Sequence, residues 1–292
     1  MLTETFVLVD DFCKSLLQCI DDKLLVCHPA SIGNRKETLS LSERMTILIL
    51  FHRIGWRNFK TFYNHHACKY WHKAFPGLVS YERFVALMPR TLLPLIVLMH
   101  KLKGKSRGIA FVDSTTIKVC HIKRERRNRV FSGIAKKSRS SMGWFFGFKL
   151  HLVVNDIGEI ISLHLSPGNT DDRSPITSMT KGIFGKLFGD KGYISKTLSE
   201  TLLKRGLRLI TNLRGNMKNK LIPLQDKLML RKRFIIETIN DQLKNISQIE
   251  HTRHRSPVNF LVNLFAGLIA YCLQPKKPTL KIENSALKLA MT

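Results

Sequence analysis

Three acids set far apart in the chain have the surroundings of metal ligands. Asp113 closes the apolar run of Ile109-Ala-Phe-Val-Asp-Ser-Thr, Asp190 closes that of Leu187-Phe-Gly-Asp-Lys-Gly-Tyr, and Glu237 sits in Arg233-Phe-Ile-Ile-Glu. An apolar run that stops at an acid reads as a buried strand meeting solvent, whereas Glu237 falls in a helical pattern. Three carboxylates at one point repel by about 4 kcal/mol per close pair at an effective dielectric near 20, so a cluster of them needs cations. Magnesium ions, hard and oxygen-seeking, meet that need, and two of them can activate an attacking oxygen and stabilise a leaving one.

Helix geometry bears on Glu237. At about 100° per residue, Arg233, Glu237 and Lys244 fall near −40°, 0° and −20°, on one face. A carboxylate flanked by two cations suits the cutting of a phosphodiester, with the cations on phosphate. The simpler alternative is an Arg233–Glu237 salt bridge across one turn, worth about 0.2 to 0.5 kcal/mol. Asp241, one turn on, is the rival acid. Asp171 and Asp172 precede an expected helix and read as N-caps.

Composition points to the substrate. Lys and Arg number 48 against 21 Asp and Glu, a formal net charge of +27. Such a chain is drawn to polyanions, of which nucleic acid is the commonest, the alternative being a merely solvated basic surface. Eight of the cations, Lys123, Arg124, Arg126, Arg127, Arg129, Lys136, Lys137 and Arg139, follow closely on Asp113, where they would grip DNA phosphates at the rim of the acids. An aromatic there could stack on a displaced base, but Trp144, Phe145 and Phe146 read mainly as packed strand residues, as do His151 and His164. Arg253-His-Arg255 adds a further basic patch.

The elements that must position these groups fall into two regions. Residues 1–100 read as helical, the DNA-binding or dimerisation region. Ser40-Leu-Ser-Glu43 is a capping box that starts a helix ending near Gly55, and Trp56 to Tyr63 resumes the amphipathic pattern. The pair is either a DNA-reading helix-turn-helix or an ordinary helical hairpin. A second helical pair is split by Pro89 and Pro94, and 101–108 is a basic, glycine-bearing linker.

Strands then take over: 109–112 with 117–119, 145–154, and 159–165 after an Asn155-Asp-Ile-Gly158 turn. A helix, a short strand ending at Asp190, a helix over 195–205, a strand over 207–212, the Glu237 helix and an apolar C-terminal helix follow. That order predicts an α/β ribonuclease H-like mixed sheet with flanking helices over 109–275, preceded by an all-α domain and followed by a tail, 276–292. Ligands of such sheets sit at strand ends, where Asp113 and Asp190 would be neighbours.

Six cysteines without paired spacing and an N-terminus without a secretion signal point to reduced thiols in a cytosol. The apolar stretch 258–273 is short for a bilayer and interrupted by Asn259 and Asn263, so no membrane partner is expected. Cys27-His28 with His65, His66, Cys68 and His72 could hold zinc, but without paired C-x-x-C spacing core cysteines and surface histidines are the simpler reading.

Several motifs together resemble one family. Arg233-Phe-Ile-Ile-Glu237 with Glu237-Thr-Ile-Asn-Asp-Gln-Leu-Lys244, Asp190-Lys-Gly-Tyr193 and Pro167-Gly-Asn-Thr-Asp-Asp172 are similar to the DDE-type transposases of bacterial insertion sequences, in the branch signed by Tyr, two residues, Arg, three residues, Glu, six residues, Lys. The tyrosine position holds Leu230. The resemblance, from Ile109 to the end, implies that Asp113, Asp190 and Glu237 hold two Mg2+ ions, replaceable by Mn2+. It further implies that water cuts the inverted ends of the element, and that the freed 3′-hydroxyl attacks target DNA in a complex of at least two chains. A decayed or non-enzymatic DNA-binding protein, and a ribonuclease H-like nuclease or resolvase that hydrolyses without joining, are the alternatives.

Overall fold

The computed structural model describes residues 1–19, 38–213, 215, 217, 221–250 and 254–280. Cys27, His28, Arg253 and residues 281–292 of the tail lie outside them. Helices come first: α1 (Leu2–Cys19), α2 (Leu41–Ile54), α3 (Phe59–Phe62), a π-helical turn (Tyr63–Ala67), α4 (Cys68–Tyr70), α5 (Tyr81–Leu87), a 3-10 turn (Met88–Thr91) and α6 (Leu92–Lys101). Then come β1 (Ile109–Cys120), β2 (Lys136–Ser140), β3 (Gly143–Asn155), β4 (Ile160–Pro167), α7 (Ile176–Met179), β5 (Gly185–Gly189), α8 (Lys196–Leu203) and β6 (Leu207–Thr211), and last α9 (Leu224–Arg231), α10 (Phe234–Asp241) and α11 (Pro257–Cys272).

The chain divides into two compact units, one of residues 1–102 and 243–273, the other of 103–242 and 274–292. In the first, the expected capping box is present: Glu43 N–H donates to Ser40 Oγ, Glu43 Oε2 accepts from Ser40 N–H, and Gly55 ends α2 at φ 80°. Helix α11 packs on α2 and α6, so it belongs with the N-terminal helices and not with the sheet where the pattern of elements had placed it. The cause is its composition. Phe260, Val262, Leu264, Leu268, Ile269 and Tyr271 are all buried, an apolar circumference that needs helices on several sides.

Gly267 keeps that helix close, since a Cβ there would lie 2.5 Å from Ile249 Cγ2. His52, buried on α2, has Nδ1 2.5 Å from the Ser247 carbonyl, and burial pulls its pKa down to about 4, so it packs as a neutral ring. The run Tyr81–Lys101 has the length and apolarity to cross a bilayer. It is broken by the 3-10 turn, and Phe84, Leu87, Leu95, Leu98 and Met99 are buried within this unit.

The second unit is a six-stranded mixed sheet in the order β2-β3-β1-β5-β6, with β4 also pairing β3. β2 and β4 share one edge of β3 end to end: β2 faces Gly143 to Gly147, and β4 faces Phe148 to Val154. Three antiparallel strands therefore lead into two parallel ones, β1 with β5 and β5 with β6, the ribonuclease H-like order. β2 is a strand that the sequence pattern does not predict. Lys136-Lys-Ser-Arg-Ser140 has no apolar alternation, and only its ladder with β3 makes it a strand.

Side chains alternate across this sheet. Ala110, Val112, Leu187 and Leu207 join Ile176, Met179, Tyr193, Leu198 and Leu202 of the helical side in one core, each buried aliphatic contributing about 1.5 to 3 kcal/mol. Phe111 points the other way and stacks on Phe188, and α10 packs on β1. The 101–108 stretch, expected to be a linker, is tied from Lys103 onward into this unit. Gly104 N–H donates to the Ile160 carbonyl, Asn155 Nδ2 to the Lys105 carbonyl, and Arg107 pairs with buried Asp156. On the tail, Leu280 N–H donates to the Asp156 carbonyl.

Gly147 lies where β3 passes the irregular end of β1. A Cβ there would stand 2.0 Å from the Ile117 carbonyl oxygen, backbone that cannot swing aside. Gly147→Ala is expected to cost at least about 1 to 3 kcal/mol, measured as a lower denaturant midpoint. An unchanged midpoint would mean that β1 and β3 do not approach this closely.

Candidate active site

β1 and β5 are parallel neighbours, last paired at Phe111 and Phe188. Asp113 and Asp190 each lie two residues further on, so adjacent strands deliver both carboxylates to one end of the sheet. Residues alternate across a strand, which turns Asp113 to the face covered by α10, away from the core face of Val112. Helix α10 brings Glu237 and, one turn earlier at its N-cap, Arg233.

Asp113 is the electrostatic centre. One carboxylate oxygen accepts from Asn240 Nδ2 at 3.0 Å, and the other lies 3.9 Å from Arg233 Nη1. Arg233 Nη2 also bonds Glu237 Oε1, so one guanidinium spans two of the acids. Burial pushes the Asp113 carboxyl up to about 6; the Arg233 charge works against the rise, while Asp190 and Glu237 add to it. Asp113 thus feels both of the other acids. Asp241, the rival to Glu237, is exposed at the end of α10.

Asp190 is held by its own motif. Its Oδ1 accepts the Gly192 N–H at 2.7 Å, and a Cβ on Gly192 would sit 2.9 Å from that oxygen. Tyr193, only 2% exposed, anchors the turn in the core; burial, with Asp113, Asp172 and Asp190 nearby, keeps its hydroxyl protonated. Asp-x-Gly-Tyr is therefore a local device that fixes a carboxylate at a strand end. A buried Lys186–Asp226 pair at 3.2 Å fastens α9 to β5. Leu230, in the tyrosine position of the signature, is 6% exposed within α9.

The donor set fits a hard divalent cation: three carboxylates, one of them desolvated and raised by its neighbours, a field that positive charge relieves. Among the described residues no three His, Cys, Asp or Glu side chains stand close enough to clasp an ion as they are. Arg233 supplies the cation that two of the acids share.

α10 ends at Asp241 and a π-helical turn, Gln242–Ile246, follows, so the angular step changes before Lys244, which pairs with Glu250 at 3.2 Å. Asp171 and Asp172 are not helix caps, since α7 begins at Ile176 with Pro175 in the N-cap position and no side-chain cap. Asp171 binds Arg173, which draws its carboxyl down to about 2. Asp172 accepts from Ser114 Oγ at 2.9 Å and pairs with Lys149 at 3.0 Å, with His151 Nδ1 at 3.9 Å. By the β1–β3 register these partners share the face opposite Asp113.

Two contributors escaped the sequence reading. Asp172, a fourth acid, ties the β1 segment that carries Asp113 to β3 through Ser114 and Lys149. Asn240 holds Asp113 itself, and its signal was present: it is a polar residue among Ile236, Ile239 and Leu243, where a helix should bury carbon. The eight cations behind Asp113 are all exposed. Lys123, Arg124, Arg126 and Arg127 lie on a 3-10 turn, Arg129 follows it, and Lys136, Lys137 and Arg139 line β2. Trp144, expected to pack, is 58% exposed.

None of the curated proteins matches the chain. Among solved structures, a piggyBac transposase synaptic complex with hairpin DNA is 8% identical, over 92% of this chain and 74% of that one, at a TM-score of 0.49. A simian T-cell lymphotropic virus intasome in complex with PP2A regulatory subunit B56 gamma is 12% identical, over 65% and 58%, at 0.27. The Mos1 strand transfer complex is 9% identical, over 97% and 87%, at 0.25. The family model described as the transposase DDE domain matches residues 103–257, which hold all three acids and all eight cations. That match spans just over half of the sequence, and the chain belongs to the transposase DDE domain family.

Proposed function

We propose that the chain is the transposase of a bacterial insertion sequence. It cuts the inverted ends of its element by phosphodiester hydrolysis and joins the resulting 3′-hydroxyl to target DNA. The observation that supports this reading is that neighbouring strands carry Asp113 and Asp190 side by side and Arg233 ties Glu237 to Asp113, within a transposase DDE domain. Asp113, Asp190 and Glu237 would hold the divalent ions. Two magnesium ions, or manganese in their place, would supply Lewis-acid activation of the attacking oxygen and charge stabilisation of the leaving one.

The protein's own share is binding and orientation. Asn240 and the Asp190 turn fix two carboxylates before DNA arrives, and Arg233 offers a planar donor to a phosphate once it leaves the acids. The exposed cations of the 3-10 turn and β2 hold the backbone on either side. No covalent protein intermediate is needed, in keeping with the absence of a nucleophilic Ser or Cys motif in the sequence. Joining two ends calls for at least a homodimer on DNA. The setting is the bacterial cytoplasm and its nucleoid.

The decisive assay uses the full chain and a plasmid carrying the inverted ends that flank its gene. Magnesium-dependent nicking followed by joining is expected. Asp113→Asn, Asp190→Asn and Glu237→Gln should each slow both steps by roughly 10³-fold, about 4 kcal/mol of barrier, with DNA retention kept. Cleavage without joining would point to a nuclease or resolvase, and retention without cleavage to a binding protein. Unchanged rates in the three variants would overturn the site.

Asp113 also gives a pH signature. A carboxyl at about 6 in the fold, against an ordinary value near 3.9, is costly to keep ionised above pH 6 and costs nothing below about pH 4. Asp113→Asn should therefore stabilise the protein by about 1 to 3 kcal/mol at pH 8, a gain that shrinks toward pH 5. Magnesium should raise the melting temperature of the wild type and not that of the variant. A variant no more stable than the wild type at pH 8 would show that Asp113 is not desolvated as described.

A further inference from the structure

Between β1 and β3 the chain makes a basic excursion that ends in a two-stranded ribbon, β2 with the start of β3. Paired residues share a face, so Lys137, Arg139, Trp144 and Phe146 lie on one side of this ribbon. Phe146 is buried, but Trp144 is 58% exposed and Met142, in the turn, 88%. The Lys137 ammonium stands 5.1 Å from the Trp144 ring centroid. Val130 and Ile134, in the same excursion, are 37% and 44% exposed. Large apolar groups left in water along one excursion mark a contact surface.

Charge says what covers it. Lys123, Arg124, Arg126, Arg127, Arg129, Lys136, Lys137 and Arg139 are exposed around the same segment, with Glu125 the one acid among them. A second copy of the chain would bring the same cations against these and be repelled. An anion with flat apolar faces satisfies both features, and nucleic acid whose bases are out of the stack is such an anion. A fully paired duplex offers phosphate to the cations but no ring face to Trp144.

We propose that Trp144, with Met142 beside it at the ribbon turn, stacks on an unpaired base of the DNA whose phosphates the surrounding cations hold. The proposal rests on the reading of the chain as an enzyme of DNA and adds the structural state of the DNA it recognises. Lys137, which also pairs with Glu125 at 3.7 Å, holds the ring by cation–π attraction and leaves the phosphates mainly to the other cations.

The test measures binding of the full chain to two labelled 30-base-pair probes, one fully paired and one with a single unpaired 2-aminopurine. Wild type should prefer the unpaired probe by about tenfold, or 1.4 kcal/mol, and quench the 2-aminopurine. Trp144→Ala should remove that preference so that the two probes bind alike, and Trp144→Phe should restore most of it. Lys137→Ala with Arg139→Ala should weaken both probes together and flatten the salt dependence. Equal binding of both probes by wild type overturns the stacking and leaves the DNA reading standing, while failure to bind either overturns both. A preference that survives in Trp144→Ala, or binding of anionic phosphatidylserine vesicles that Trp144→Ala abolishes, also overturns it.

Discussion

A desolvated carboxylate surrounded by like charges is the constraint on which this sheet end is built. Asp113 lies on a central strand, so its carboxylate cannot retreat into water, and Asp190 and Glu237 are held within reach of its field. Desolvation and like charge both favour the neutral acid, and two groups oppose them, the Arg233 guanidinium and the Asn240 amide. Each depends on its element being in place. Asn240 and Arg233 meet Asp113 only if α10 packs on β1, and α9, which precedes it, is anchored to β5 by Lys186 and Asp226.

The core beneath serves the same end. Tyr193 fills it and at once fixes the turn whose Gly192 amide holds Asp190. On the far face of β1, Ser114, Lys149 and His151 gather on Asp172, so the strand is gripped from both sides at the residue pair 113–114. His151 takes part as a neutral ring: burial lowers its pKa to about 4, and its other nitrogen meets Ser166 Oγ at 2.8 Å. A carboxylate held this firmly cannot relax away from its neighbours, and that rigidity keeps the repulsion available to be relieved by a bound cation.

Much of this was legible because it is local. The apolar run before Asp190 marks the end of β5, the Ser40 capping box is complete within four residues, and Asp190 to Tyr193 is a self-contained turn, whereas β1 runs on through Asp113 to Cys120. What could not be read depends on partners distant in sequence. β2 is a polar segment that becomes a strand through β3 alone. Asp172 looks like a cap until Ser114 and Lys149, some 58 and 23 positions away, are placed beside it. The wheel served Arg233 and Glu237 within α10 but not Lys244, because a π-helical turn between them changes the angular step and no residue type announces it. α11 was assigned by its order in the chain, whereas its apolar circumference already required helices around it.

Trp144 shows how a sound rule fails where function intrudes. Aromatics entering a strand usually pack, and Phe145 and Phe146 do, at 2% and 6% exposure. Trp144 shares its face of the ribbon with buried Phe146 but lies one pair nearer the turn, where it is left facing water. Cations on both flanks then make that exposure tolerable only beside an anion, because no apolar neighbour can approach such a surface without desolvating charge. The site and the ribbon carry opposite excesses of charge: three acids have the Arg233 guanidinium, which pairs with two of them, and eight exposed cations of the excursion have one acid, Glu125, among them, paired with Lys137. Pairing the two within one chain would satisfy both and leave nothing for substrate. Held on separate elements, each keeps its excess, which is the electrostatic basis of the proposed function: a cation would relieve the acids, and a phosphate backbone would relieve the excursion.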